Sequence, residues 1–179
     1  MTNAENQPSS QPSPQGRRVL VAVVTGETGR RIQAWREAHD PLQARRLPPH
    51  VTLCYWPPPD GVEALGEQVR HAFAERVVVR LGAVREFGNE EQTFYVEVLA
   101  TGQLDEARRR LYDGRHVQLP PLREWTWHVT CIRDARDRDA APLRRAAADL
   151  CVDGDWRVDT VTCLELRGDR YEAVATWAV

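Results

Sequence analysis

The apolar positions of this chain alternate between short extended runs and helical spacings. Runs rich in Val, Ile, Leu, Thr and aromatic residues, bounded by Pro, Gly, Asn or Asp, are typical of strands. The predicted strands cover residues 19–24, 50–56, 77–81, 93–99, 125–133, 156–166 and 171–179. The tetrapeptide Arg167-Gly168-Asp169-Arg170 predicts a hairpin turn between the last two. Its Arg-Gly-Asp triplet does not indicate cell adhesion, because Gly and Asp are ordinary turn residues.

Apolar residues spaced three or four apart predict four helices between these strands. The first begins near Thr28 or Gly29 and ends at Asp40-Pro41, because the residue before a proline leaves the helical region. The apolar stripes of the four helices are Ile32 and Trp35; Val62, Leu65, Val69 and Phe73; Leu104, Ala107, Leu111 and Tyr112; and Leu143, Ala146, Ala147 and Leu150.

The order of the elements favours an α+β fold with mostly antiparallel strands. Residues 1–16 are rich in Pro, Ser, Gln and Asn, so we expect a disordered tail there and a single domain over residues 17–179. The triplet His-Val-Thr occurs twice, at residues 50–52 and 128–130, each time in a strand entered from a loop. This repeat suggests two related lobes that face each other across a cleft.

Composition narrows the chemistry. The net charge of −2 argues against a broad nucleic-acid-coating surface, although a local basic cleft is compatible with it. All 24 cationic residues are Arg, which excludes a lysine nucleophile, a Schiff base and a Walker-type phosphate lysine. The sequence shows neither a secretory signal nor an apolar run that could span a bilayer, so we expect a cytoplasmic protein that is not attached to a membrane.

Alternation of side chains in a strand places His50 and Thr52 on one face, and His128 and Thr130 on one face. Two such strands side by side would surround a small volume with two imidazoles and two hydroxyls. This set suits displacement at phosphorus, in which the attacking oxygen loses a proton and the leaving oxygen gains one. The hydroxyls can donate to the phosphate oxygens where negative charge develops. The sequence therefore predicts metal-free phosphoester chemistry.

Two other interpretations stay open. The same cleft could bind a phosphate of a nucleotide or an RNA end without turnover, as a binding module. The two histidines could also hold a metal ion, but no nearby carboxylate has a convincing ligand spacing, and no C-x-x-C pair is present.

The two motif regions resemble those of the 2H phosphoesterase superfamily, in the branch called 2′-5′ RNA ligase-like. The stretches that carry the resemblance are His39-Asp40-Pro41 followed by Leu47-Pro48-Pro49-His50-Val51-Thr52-Leu53, and Trp127-His128-Val129-Thr130-Cys131-Ile132-Arg133. The resemblance implies a bilobal fold in which two antiparallel sheets line a central cleft with helices outside. It also implies that His50 and His128 are the acid–base pair and that Thr52 and Thr130 hold the phosphate.

The activity implied by this resemblance is opening of a 2′,3′-cyclic phosphate at an RNA end, with ATP-independent 2′-5′ joining as the reverse reaction. We therefore expect a nucleotide or RNA-end substrate, no cofactor, no metal and a monomer. The segment Cys54-Tyr55-Trp56-Pro57 departs from the Phe-Leu-Gly-like segment usual after the first motif, which leaves the substrate open.

Three further residues are secondary candidates near the predicted cleft. Cys54 and Trp56 share the predicted face of His50, which suggests a small cleft-lining residue and an aromatic residue that could stack on a base. Arg133 ends the second motif strand and could contact a phosphate, although strict alternation points it away from His128.

Overall fold

The computed structural model describes residues 17–55, 62–88, 92–113, 125–135, 138 and 140–179. The predicted N-terminal tail and Trp56 lie outside these residues. The strands are β1 (Arg18–Val23), β2 (His50–Tyr55), β3 (Val78–Glu86), β4 (Phe94–Leu99), β5 (His128–Ile132), β6 (Gly154–Arg157), β7 (Thr160–Arg167) and β8 (Arg170–Ala178). The helices are α1 (Gly26–His39), α2 (Pro41–Arg46), α3 (Val62–Ala72), α4 (Gly102–Tyr112) and α5 (Ala140–Asp149).

The strands form one eight-stranded sheet in the order β6-β3-β4-β5-β2-β1-β7-β8, and every neighbouring pair is antiparallel. The α+β prediction is confirmed. The sheet divides into two halves of four strands, β6-β3-β4-β5 and β2-β1-β7-β8. The halves meet where β2 pairs with β5, at Val51 opposite Val129. Both His-Val-Thr strands therefore lie at the centre of the sheet.

Two predicted elements differ from the structure in more than their boundaries. The extended segment 156–166 is two strands, because β6 pairs with β3 at one edge of the sheet while β7 pairs with β1 and β8 in the other half. The predicted interruption at Asp40-Pro41 is real, but a second helix, α2, begins there. The Asp40 side chain accepts a hydrogen bond from the Gln43 amide, and Pro41 occupies the first turn, where its missing N–H costs nothing.

The main hydrophobic core lies between one face of the sheet and helices α1, α3, α4 and α5. Val51 and Val129 are fully buried in it, together with Ile32 of α1 and Leu104 of α4. On the opposite face of the sheet the described residues form a smaller apolar cluster, Val19, Val21 and Leu164, flanked by Val23 and Tyr171. This second face is the one on which the motif histidines lie, so it is left open for a ligand. No described helix has the length and apolar character needed to cross a membrane.

Candidate active site

The two central strands bring the repeated triplets together. Because Val51 lies opposite Val129 in an antiparallel pair, His50 lies across from Thr130, and Thr52 lies across from His128. All four side chains are half-buried on the open face of the sheet, whereas the two valines point into the core. The two imidazoles are thus diagonal neighbours, a relation that places Cβ atoms about 7–8 Å apart or slightly less.

Each imidazole is oriented by the backbone just before its strand. Nδ1 of His50 lies 2.7 Å from the carbonyl oxygen of Pro48, and Nδ1 of His128 lies 2.7 Å from that of Thr126. A carbonyl oxygen can only accept, so each Nδ1 carries the hydrogen and donates. Each Nε2 is then left as the nitrogen that exchanges a proton with a ligand. The two sites repeat the same geometry, with the acceptor two residues before the histidine.

Burial holds both imidazoles in the neutral form. Desolvation lowers the pKa of His50 to about 4, with smaller contributions in the same direction from the positive charge of Arg36 and from His128. Desolvation also lowers the pKa of His128. The hydrogen bonds to Pro48 and Thr126 act in the opposite direction, since they favour the charged form. The lowered pKa values favour the neutral form of both imidazoles, and an anion beside them has the opposite effect, because it favours the charged form.

A β-bulge follows the threonine of each motif strand. Thr52 pairs with Val21, but Cys54 pairs with the next residue, Leu20, so β2 has one extra residue there. In β5, Thr130 pairs with Tyr95 and Ile132 pairs with Phe94, which again leaves one extra residue. An extra residue reverses the alternation of side chains beyond it.

These bulges change which residues line the cleft. Cys54 is buried in the core, so the prediction that it lines the cleft is wrong. Tyr55 takes that place and is 51% exposed; sequence reasoning missed it because strict alternation assigns it to the other face. Arg133 lines the cleft for the same reason; it directly follows β5 and is five residues after His128, as Tyr55 is five residues after His50.

The cleft over the histidines is rich in guanidinium groups. It has a volume of about 430 Å³ and is lined by the two histidines and two threonines of the motifs, but not by the two motif valines. The arginines that line it are Arg17, Arg18, Arg36, Arg46 and Arg133. No carboxylate lines it among the residues that the structure describes. An overall negative chain thus presents a locally positive cleft, which favours anions.

Arg36 and Asp40 hold the first motif strand in place. The Arg36 side chain is 2% exposed, and its terminal nitrogens donate to the carbonyl oxygens of Leu47 and Gln43, each at 3.0 Å, and to the side-chain oxygen of Gln33. It thereby fixes the end of α2 just before Pro48. The Asp40 carboxylate accepts from the Arg133 amide as well as from α2, so it links α2 to the end of β5. Arg36 is not distinguishable in the sequence from an ordinary surface charge.

An aromatic pocket adjoins the cleft beside Thr52 and His128. This pocket has a volume of about 250 Å³ and is lined by Thr52, His128, Tyr55, Phe87 and the segment 125–127. The Phe87 ring stacks on the Tyr95 ring, with the two ring centroids 3.9 Å apart, and forms a T-shaped contact with the His128 ring, with centroids 5.1 Å apart. Trp125 is backed by the buried guanidinium of Arg108, 4.1 Å from its ring centroid. Flat aromatic surfaces next to the histidines suit a planar ring of a ligand.

The other candidate chemistry has less support from geometry. Among the described residues, no group of three or more His, Cys, Asp or Glu side chains is arranged to hold a metal ion. Cys131, beside the second motif, is buried, and burial raises the pKa of its thiol to about 12, so it is not a nucleophile.

Comparison with known structures reveals the same fold. The apo crystal structure of LigT from E. coli has a TM-score of 0.60 and 16% identity, with 93% of this chain and 98% of that chain covered. The complex of E. coli LigT with 3′-AMP has a TM-score of 0.60 and 19% identity, covering 93% and 99%. A structure described as a phosphoesterase has a TM-score of 0.58 and 18% identity, covering 92% and 98%.

Sequence comparison identifies the family. No individually curated protein is similar enough to count as a match. The family model of the 2′-5′ RNA ligase superfamily, however, matches residues 25–170, a range that includes both His-Val-Thr strands and most of the chain. The chain therefore belongs to the 2′-5′ RNA ligase superfamily and has the 2H phosphoesterase fold.

Proposed function

We propose that this chain is a metal-independent phosphoesterase that hydrolyses a 2′,3′-cyclic phosphate or a 2′-5′ phosphodiester, in RNA ends or in nucleotides. The observation that carries the proposal is the matched pair of imidazoles. His50 and His128 each donate from Nδ1 to a backbone carbonyl, so both can exchange protons through Nε2 over one positively charged cleft. Membership of the 2′-5′ RNA ligase superfamily supports the same chemistry.

The proposed reaction on a 2′,3′-cyclic phosphate is an in-line displacement by water. One imidazole takes a proton from the water through Nε2 while the water oxygen forms a bond to phosphorus. The bond from phosphorus to the 3′ oxygen breaks, and Nε2–H of the other imidazole protonates that oxygen. The product is a 2′-phosphate with a free 3′ hydroxyl. With a 5′ hydroxyl in place of water, the same displacement would join 2′-5′ ends without ATP: the hydroxyl gives its proton to one imidazole as its oxygen bonds to phosphorus, and the 3′ oxygen leaves with the proton of the other. In the reverse of this joining the two histidines exchange roles.

Neighbouring groups supply the electrostatic part of the proposed mechanism. The hydroxyls of Thr52 and Thr130 form no hydrogen bond within the described residues and lie beside the opposing imidazoles, so they can donate to the non-bridging phosphate oxygens. The pKa of both imidazoles is lowered in the free cleft. A phosphate anion between them favours the charged form of one imidazole. Substrate binding would thus provide the acid with its proton.

The aromatic pocket supports a nucleotide rather than a simple phosphate ester as substrate. Phe87 and Trp125 provide flat surfaces next to His128, and stacking on aromatic side chains is a common way to hold a nucleobase. E. coli LigT has this fold, and crystal structures show it in complex with 3′-AMP, NADP⁺ and ATP. A protein with this fold therefore binds nucleotides.

Turnover assays in EDTA test the proposal against the two other interpretations. We expect the purified chain to open 2′,3′-cyclic nucleotides or cyclic-phosphate-ended RNA, or to cleave 2′-5′ dinucleotides, without a divalent ion. Binding of these compounds without turnover would favour a binding module. Activity that EDTA abolishes and a divalent ion restores would contradict the metal-free mechanism.

A further inference from the structure

A second basic cavity adjoins the histidine cleft. It lies between α2 and the β7–β8 hairpin, has a volume of about 440 Å³, and is lined by Leu42, Arg45, Arg46, Arg167, Asp169, Arg170 and Glu172. We call it the α2–hairpin groove. Arg46 lines both the histidine cleft and this groove, so the two are neighbours on the protein surface.

The hairpin turn builds one wall of the groove. Arg167 and Arg170 are paired directly across the two strands, and Gly168 between them has φ +63°, a value that favours glycine. The tight turn therefore presents two guanidinium groups from adjacent strand ends toward α2. Arg167 and Asp169 of the Arg-Gly-Asp triplet thus line a groove whose other wall carries Arg45 and Arg46.

The groove has more cationic than anionic groups, and two of its arginines form no ion pair with a described residue. Arg167 lies close to Glu165 and Glu172, and Arg170 lies 3.4 Å from Glu172. Arg45 and Arg46, in contrast, take part in no ion pair within the described part of the chain, and Nε of Arg46 is buried without a hydrogen-bond partner. Four arginines face two carboxylates here, in a chain whose net charge is −2. Positive charge is concentrated along one path, from the cleft over α2 to the hairpin.

We propose that the α2–hairpin groove binds the sugar–phosphate backbone of a single-stranded RNA whose terminal nucleotide lies in the histidine cleft. The inference rests on the proposed function, because it takes the cleft as the site of the reacting phosphate. In this proposal the cleft and the aromatic pocket hold the phosphate and the base of a mononucleotide, which has no second phosphate for the groove. A strand has a further phosphate on each following nucleotide, and guanidinium groups along a groove are a common means of binding a single strand. The preferred substrate is therefore an oligonucleotide end.

The test compares one variant with a charge-matched control. Arg45→Gln/Arg170→Gln removes two charges from the groove and leaves every residue of the histidine cleft unchanged. Arg109→Gln/Arg157→Gln removes two exposed, ion-paired arginines from α4 and from the edge strand β6, at the opposite end of the sheet. Fluorescence anisotropy would measure the affinity of each protein for a labelled nine-nucleotide RNA with a 2′-phosphate end, as a function of salt. Competition would measure the affinity for a nucleoside 2′-phosphate.

We expect the groove variant to bind the RNA about tenfold more weakly at low salt, and to bind the nucleoside phosphate as the unmodified protein does. Because each phosphate contact to a single strand contributes about 0.7 to the slope of log affinity against log salt, loss of two contacts should reduce that slope by about 1.4. The control variant should resemble the unmodified protein.

Equal losses in both variants, equal losses for RNA and nucleoside phosphate, or no loss for the RNA would overturn the proposal. Binding of an acidic peptide with the same dependence on Arg45 and Arg170, but no such dependence for RNA, would also overturn it. The readout is binding, so absence of turnover would contradict the proposed function without deciding this inference.

Discussion

Acidification should destabilise the folded chain through His50. The pKa of this imidazole is about 4 in the fold because burial disfavours the charged form, against 6.5 when it is free in solution. Between these values the unfolded chain binds more protons than the folded chain, so the free energy of unfolding falls as the pH is lowered. Well above pH 6.5 the titration of His50 takes nothing from the free energy of unfolding. The loss grows as the pH falls from 6.5 and levels off below about pH 4.

The magnitude follows from the two pKa values of His50. By linkage, the loss relative to pH 7.5 is about 2 kcal/mol at pH 5 and about 3 kcal/mol at pH 4. Replacing the residue by asparagine keeps a side-chain N–H where Nδ1 donates to the carbonyl of Pro48, but removes the titration. The His50→Asn variant should therefore lose stability less steeply between pH 7.5 and pH 5 than the unmodified chain does.

Urea unfolding followed by circular dichroism at several pH values between 7.5 and 5 measures this difference. Part of the slope should remain in His50→Asn, since the pKa of His128 is also lowered. If the variant and the unmodified chain lost the same free energy of unfolding over this range, the imidazole of His50 would be solvated in the folded state, and the reasoning from burial would be wrong.

Three further predictions follow from the site and its supports. The pH profile of kcat/KM should have its optimum below pH 6.5, since the pKa of both histidines is lowered in the free cleft. Stopped assays on a 2′,3′-cyclic nucleotide measure this profile, and an optimum above pH 7.5 would contradict the prediction. Thr130→Val should lower kcat by roughly 10²-fold with little loss of stability, because it removes one donor to the developing charge; unchanged kcat would remove Thr130 from the site. Arg36→Met should lower the free energy of unfolding, measured in urea, by about 3 kcal/mol, because it leaves the buried carbonyls of Leu47 and Gln43 without their donors. A loss below about 1 kcal/mol would show that water replaces the guanidinium.

The core of the candidate site could be predicted from the sequence because it depends on a local rule. Alternation in a strand is enough to put His50 beside Thr52 and His128 beside Thr130, and the repeated triplet indicates that two such strands are related. Their direct pairing at Val51 and Val129 is consistent with that prediction, although no local pattern specifies the register.

The rest of the site depends on pairing between distant strands. The two bulges exist because β2 and β5 each have one more residue than the strand beside them, and they exchange Cys54 for Tyr55 and turn Arg133 into the cleft. Arg36 could not be identified for a related reason. Its burial comes from the fold of α2 back onto α1, which brings the carbonyls of Gln43 and Leu47 to a side chain that is solvated in an isolated helix.

The central claim is that His50 and His128 act as one acid–base unit, and a double-mutant cycle tests it most directly. Activity on a 2′,3′-cyclic nucleotide would be measured in EDTA for His50→Asn, His128→Asn and the double variant. Each asparagine keeps an N–H for its backbone carbonyl but lacks Nε2. Each single variant should lose roughly 10²–10⁴-fold in kcat. The double variant should be little less active than the less active of the two single variants, because the effects of residues that act as a unit do not add. Full activity in either single variant, or losses that multiply in the double variant, would contradict the account.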